Sequence, residues 1–161
     1  MSNNCSVDTA TVVRELRENG IFASTTRGTS MEPLFRTGRD VIIVKRPEGE
    51  LRRHDVALYR YPSGKFVLHR VLYVRKDEYI IRGDNTFALE HIPKDWVIGV
   101  LVKFNRKGKS HTVDERGYRL YVVLWRLIYP VRFVYHYARR AAGKIYRALF
   151  KRKRGESNGN K

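Results

Sequence analysis

The sequence is poor in the features that would settle its chemistry at once. Its single cysteine, Cys5, excludes an intrachain disulfide framework and a cysteine-built zinc site, and the residue is read as incidental. No run of about 18 uncharged apolar residues exists, as a membrane-spanning helix requires. The longest apolar stretch, Leu120 to Trp125, is hemmed in by Arg119 and Arg126. Residues Met1 to Asp8 lack a basic segment leading into an apolar one, so neither a cleavable secretory signal nor an N-terminal anchor is expected. Phosphate-cradling glycine loops, dinucleotide fingerprints and helical histidine pairs with a glutamate are missing. His54, His91, His111 and His136 show no ligand spacing, so no metal and no cofactor is implied.

Acidic residues are also scarce, and unevenly so. The 161 residues carry 33 Lys and Arg against 16 Asp and Glu, a formal charge of +17. Residues 1–115 hold 20 basic and 15 acidic side chains, whereas residues 116–154 hold 12 basic ones and no acid. The excess therefore belongs to a tail, and it points to an anionic partner. The 42% hydrophobic content, with 10 Tyr, 7 Phe and 2 Trp, is enough for a core and argues against disorder. Length favours one compact domain with an appendage.

The hydrophobic period changes twice along the chain. Residues 1–20 form a lead-in segment in which Val12, Val13 and Leu16 share one helical face, with Asp8 or Thr9 as N-cap and Gly20 as stop. Residues 21–115 read as a mainly antiparallel β domain, with strands expected at 21–26, 40–45, 55–59, 66–74, 79–82 and 97–104. Turn residues such as Tyr61-Pro62-Ser63-Gly64 and Gly83-Asp84-Asn85 separate them. Residues 116–154 return to a period of 3.6. Leu120, Val123, Leu124, Leu127, Val131, Val134, Ala138, Ala141, Ile145 and Leu149 fall on one face, and Arg126, Arg132, Arg139, Arg140, Lys144 and Arg147 mostly on the other. Pro130 is expected to kink or divide this helix, and residues 155–161 to be a disordered terminus.

Three groups carry candidate chemistry. Ser30 sits in Gly28-Thr29-Ser30-Met31-Glu32-Pro33, a loop that a glycine and a proline would tighten. A serine needs a neighbouring base to become a nucleophile, and His69 in Val67-Leu68-His69-Arg70-Val71 is the leading one. Strand alternation puts His69 on the face of Lys65, Val67, Val71 and Tyr73, with Leu68, Arg70 and Leu72 opposite. A half-buried imidazole there would stay neutral, as a general base must. Asp84, in the turn after the next strand, could orient that imidazole. Taken singly, the three are also ordinary: a turn serine, a core histidine and a turn aspartate.

Their order and spacing resemble those of the signal peptidase and LexA-like serine peptidase superfamily. Its pattern of Gly-x-Ser-Met-x-Pro, a strand entered by Gly-Asp, a base and Gly-Asp-Asn stands here as Gly28 to Pro33, His54-Asp55-Val56, His69 and Gly83-Asp84-Asn85. The resemblance spans Leu16 to Val102. It is nearest to the branch typified by the endoplasmic reticulum signal peptidase, where histidine replaces the lysine base. It implies a compact β peptidase fold, Ser30 as nucleophile, His69 as general base and Asp84 as the acid that positions it. A second acid follows the Gly-Asp-Asn turn in that branch, and Glu90 is the match here, with Asp95 as an outside choice. Lys65 leaves a Ser-Lys dyad as the alternative.

The position that bears a hydroxyl in some relatives is Gly28, so the oxyanion would rest on backbone N–H groups, mainly that of Ser30 with Thr29. The implied activity is a serine endopeptidase cleaving leader or signal peptides after small residues. In place of an N-terminal anchor, the basic C-terminal helix is expected to lie on an anionic membrane surface, with Arg126, Arg132, Arg139, Arg140, Lys144 and Arg147 facing headgroups. Two alternatives are a cytoplasmic LexA-like Ser-Lys peptidase acting on itself or on a leader peptide, and a non-enzymatic module binding anionic lipid or nucleic acid. Nucleic acid is the less favoured partner, because no helix-turn-helix, zinc or RNA-binding pattern accompanies the charge.

Overall fold

A computed structural model describes residues 9–157, with side chains from 11 to 143. Cys5 and the side chains of Lys144 and Arg147 lie outside the described residues. The chain divides into two units, Met1–Val122 and Val123–Lys161.

The first unit is mainly antiparallel β. Helix α1 (Thr9–Glu18) leads into strands β1 (Ile21–Thr25), β2 (Val41–Lys45), β3 (Val56–Arg60), β4 (Phe66–Val74), β5 (Glu78–Arg82), β6 (Glu90–Pro93), β7 (Val97–Arg106) and β8 (Lys109–Thr112). They form one sheet in the order β1-β2-β7-β3-β4-β5-β6, with β8 hairpinned onto β7. All pairings are antiparallel. Six of these strands lie where the sequence placed them. The other two, β6 and β8, are four residues each, too short to show a period of two.

Burial on both faces explains the sequence of the central strand. β3 reads Val56-Ala57-Leu58-Tyr59, and all four are buried. Val56 and Leu58 join a cluster with Val12, Leu16, Met31, Leu34, Phe35, Ile42, Val44, Leu101 and Phe104. Ala57 and Tyr59 join Leu51, Val71, Tyr79, Ile81 and Ile92 on the other face. α1 contributes Val12 and Leu16 as expected, each worth about 1.5–3 kcal/mol of burial, and Gly20 at φ +71° ends it.

β4 departs from strict alternation. Its pairing with β5 shifts register between Val71 and Tyr73, so the extra residue flips the parity. Val74 then packs with Val71 in the second cluster, and Tyr73, expected on the His69 face, is exposed.

Helix α2 (Arg116–Ser157) begins where the period change placed it, and its first two turns belong to the first unit. Tyr118 and Tyr121 pack against the first cluster there. Pro130 lies inside this one continuous element and does not divide it. One proline removes a single i to i−4 hydrogen bond, at roughly 3 kcal/mol, and the turns on either side keep theirs. The helix also passes through residues 155–157, which the sequence placed in a disordered end; 158–161 lie outside the described residues. In the second unit Leu127, Val131 and Val134 are each about two-thirds exposed, and Arg132 stacks its guanidinium 3.9 Å above the Trp125 ring. Among the described residues no helix is long and apolar enough to cross a membrane.

Candidate active site

The Ser30 loop is stapled at both ends by backbone polar groups. At its base the Thr26 N–H donates to the Asp40 carbonyl at 3.2 Å, and the Gly38 N–H to the Thr26 carbonyl at 3.1 Å. Asp40, wholly buried, accepts from the Arg36 N–H at 2.9 Å and from the Arg39 guanidinium at 2.6 and 2.7 Å. The Arg39 hydrogen bond, opposed by burial, holds the Asp40 carboxyl below the usual carboxylate range. Gly28 sits at φ +81°, the left-handed region that a side chain would resist, and its carbonyl accepts from the Thr37 hydroxyl at 2.7 Å. Met31 points into the first cluster and Ser30 remains half-exposed.

The Gly83-Asp84-Asn85 turn clamps the tip of this loop. The Asn85 N–H donates to the Ser30 carbonyl at 2.7 Å, and its side-chain amide donates to the Thr29 carbonyl at 3.2 Å. Gly83 is needed for closeness here. A Cβ on it would stand 2.6 Å from the Ser30 carbonyl oxygen and 2.9 Å from His69 Nε2. Gly83 therefore stands between the Ser30 carbonyl and the imidazole where no β-carbon fits, and the Ser30 hydroxyl makes no hydrogen bond to Nε2.

His69 occupies β4 opposite Ala57, whose small side chain leaves room for the ring, with Tyr59 beside it at 6.2 Å between ring centroids. The residue is 5% exposed, and its two nitrogens differ sharply. Nδ1 lies 3.0 Å from Glu90 Oε1, while buried Nε2 has no hydrogen-bond partner among the described residues. Glu90 Oε2 in turn accepts the phenols of Tyr59 and Tyr61, each at 2.6 Å.

Burial lowers the His69 pKa below its ordinary value; Glu90 and Asp84 act the other way, and Lys65 adds to the lowering. Burial would raise the Glu90 carboxyl, but the two phenols and His69 outweigh it and hold it below its ordinary value. A neutral imidazole against an ionised carboxylate must carry its proton on Nδ1. That assignment leaves the Nε2 lone pair free on the side of Ser30.

The acid beside the imidazole is thus Glu90, the second of the two candidates, and not Asp84. Asp84 is drawn to the opposite face of β4. Its oxygens accept from Arg70 Nε and Nη2 at 2.8 and 2.7 Å, and one also accepts the Tyr121 phenol at 3.1 Å. Arg70, 3% exposed, further donates to the His54 carbonyl at 3.1 Å and the Tyr118 hydroxyl at 2.9 Å. Burial disfavours its charge, but Asp84 and Tyr118 more than compensate, so it stays a guanidinium. The physical reason is a preference of charge: a buried permanent cation commands the nearest carboxylate ahead of a neutral ring. The sequence contained this signal, since alternation places Arg70 opposite His69 and a buried arginine requires an acid.

A cleft of about 670 Å³ gathers the remaining candidates. Gly28, Thr29, Ser30, Met31, Lys65, His69, Asn85 and Glu90 line it, with Phe22, Ile42, Leu58 and Leu68 forming an apolar wall. Pro33 follows the loop outside this lining, and Asp95 lies in a short 3-10 turn (Lys94–Trp96) after β6. Tyr59 and Tyr61 escaped the sequence reading because Tyr59 reads as core and Tyr61 as the start of a turn. Among the described residues no group of three or more His, Cys, Asp or Glu could hold a metal ion. No protein-family model matches the chain, and no curated protein matches it.

Proposed function

We propose that the protein is a serine endopeptidase in which Ser30 is the nucleophile, His69 the general base and Glu90 the acid that orients it. The observation that carries this reading is the buried His69 ring. One nitrogen is fixed by an ionised glutamate, and the other is unpartnered and faces the serine loop across Gly83.

In this scheme an extended peptide lies in the cleft, its backbone pairing with a sheet edge. The Ser30 hydroxyl attacks the scissile carbonyl carbon as His69 Nε2 takes its proton. The imidazolium is stabilised by Glu90, and the oxyanion by backbone N–H groups, mainly that of Ser30. Collapse of the tetrahedral intermediate breaks the C–N bond, and the imidazolium protonates the leaving amine. Water, deprotonated by the same base, then hydrolyses the acyl-enzyme. The order of motifs supports leader or signal peptides as substrates. The apolar and basic faces of α2 support attachment to an anionic membrane surface.

Incubation with a leader peptide tests the scheme. Ser30→Ala and His69→Ala each reduce kcat/KM to background while thermal unfolding stays near that of the parent. Lys65→Ala changes it only mildly. The pH profile of kcat/KM rises as His69 loses its proton, with a midpoint below 6.5 because burial lowers that pKa. Lys65 lines the same cleft, so loss of activity in Lys65→Ala with retention in His69→Ala would replace the triad by a Ser-Lys dyad.

A further inference from the structure

Glu90 is held from behind by two hydroxyls that no part of the reaction scheme uses. Tyr59 lies on β3, on the face of Ala57, wholly buried in the second cluster. Tyr61 lies just beyond, in the turn closed by the Gly64 N–H to Tyr61 carbonyl bond at 2.8 Å, and its ring packs edge-on against Tyr59 and Trp96. Both phenols converge on Oε2, leaving Oε1 to His69. At 2.6 Å each, they are as short as hydrogen bonds to a charged oxygen become. Phenylalanine would fill the same space, so packing alone does not account for the hydroxyls.

We propose that Tyr59 and Tyr61 are positioning residues, which fix Glu90 in one orientation and disperse its charge so that it holds the His69 ring without making it too basic. The proposal rests on the peptidase reading for its purpose, though not for its measurement. The groups facing His69 are Glu90 from β6, Tyr59 from β3, Asp84 from the turn after β5 and Lys65 from the turn before β4; Tyr61 reaches it through Glu90.

The sign follows from linkage. The phenols donate to the anionic carboxylate of the unprotonated His69–Glu90 pair. Without them the carboxylate charge is more concentrated, and the pair binds its first proton at higher pH. That holds whichever partner receives the proton.

Nuclear magnetic resonance titration of the assigned His69 ring tests this in the full-length protein without relying on activity. Tyr59→Phe and Tyr61→Phe each raise the midpoint by about half a pH unit and the double variant by about one, the size of an ordinary net hydrogen bond for each phenol. In a Glu90→Gln background Tyr61→Phe, which reaches His69 only through residue 90, leaves the midpoint still, because there is no charge to disperse. If Tyr59→Phe unfolds, Tyr61→Phe in the turn carries the test alone. Midpoints that stay at the parent value in folded variants overturn the proposal. A shifted midpoint in a protein that cleaves no peptide keeps the arrangement and removes the peptidase reading.

Discussion

Replacing Gly83 by alanine adds one methyl group between the Ser30 carbonyl and the imidazole, both of which crowd that glycine. The new carbon would lie 2.6 Å from the Ser30 carbonyl oxygen, 2.9 Å from His69 Nε2 and 3.1 Å from His69 Cδ2. Gly83 does not occupy the left-handed region, so alanine can adopt its backbone and the effect is steric alone. Restoring ordinary contact requires the two nearest atoms to retreat by roughly 0.5–0.8 Å. Neither can do so freely. The Ser30 carbonyl is held by the Asn85 N–H at 2.7 Å, and the ring is wedged between Gly83 and its Glu90 partner. Overpacking of this kind costs about 1–3 kcal/mol. A displacement approaching 1 Å between reacting groups costs on the order of 10²-fold in rate. Peptide cleavage by Gly83→Ala therefore falls about 10²-fold, with a thermal midpoint lower by several degrees. Gly117→Ala, where nothing lies within 4 Å, serves as the control and leaves both readouts near the parent. A Gly83→Ala protein with parental activity and stability would show that the serine loop does not approach His69 as described.

The two acids separate cleanly by substitution. Asp84→Asn leaves the buried Arg70 charge unbalanced and costs about 3–5 kcal/mol in chemical denaturation. Glu90→Gln keeps acceptors for the tyrosines but offers Nδ1 an amide N–H, which favours the wrong tautomer, so kcat falls by as much as about 10⁴-fold with the fold intact. The opposite pattern would restore Asp84 as the orienting acid. For the helix, flotation with vesicles containing phosphatidylserine compares the parent with an Arg126, Arg132, Arg139 and Arg140 to Ser variant. At about 1 kcal/mol per basic residue, partitioning drops about 10³-fold. Equal flotation of the two proteins, or of the parent on neutral vesicles, would refute membrane attachment through this charge.

Local pattern determined most of the architecture. The positions of β1 to β5 and β7, the lead-in helix and the change of period at residue 116 are read directly, because burial imposes a period near 2 or 3.6 on the chain itself. The same reasoning reached Ser30, His69 and the Gly83-Asp84-Asn85 turn, whose residue types are required by tight loops and by proton transfer. It placed Arg70 on the face opposite His69 without drawing the consequence for Asp84.

The pairing of charges was decided only in three dimensions. Asp84 and Glu90 are six positions apart and both suited to support an imidazole, and although Arg70 signals that an acid must face it, which of the two does so is not set along the chain. Arg70, itself bonded to the Tyr118 hydroxyl, and the Tyr121 phenol claim Asp84 on one face of the sheet. β6, too short to be legible, brings Glu90 to His69 and to two tyrosines on the other. Hydrophobic periodicity is a property of neighbours along the chain. The partner of a buried charge is set by which groups the completed sheet leaves within hydrogen-bond reach.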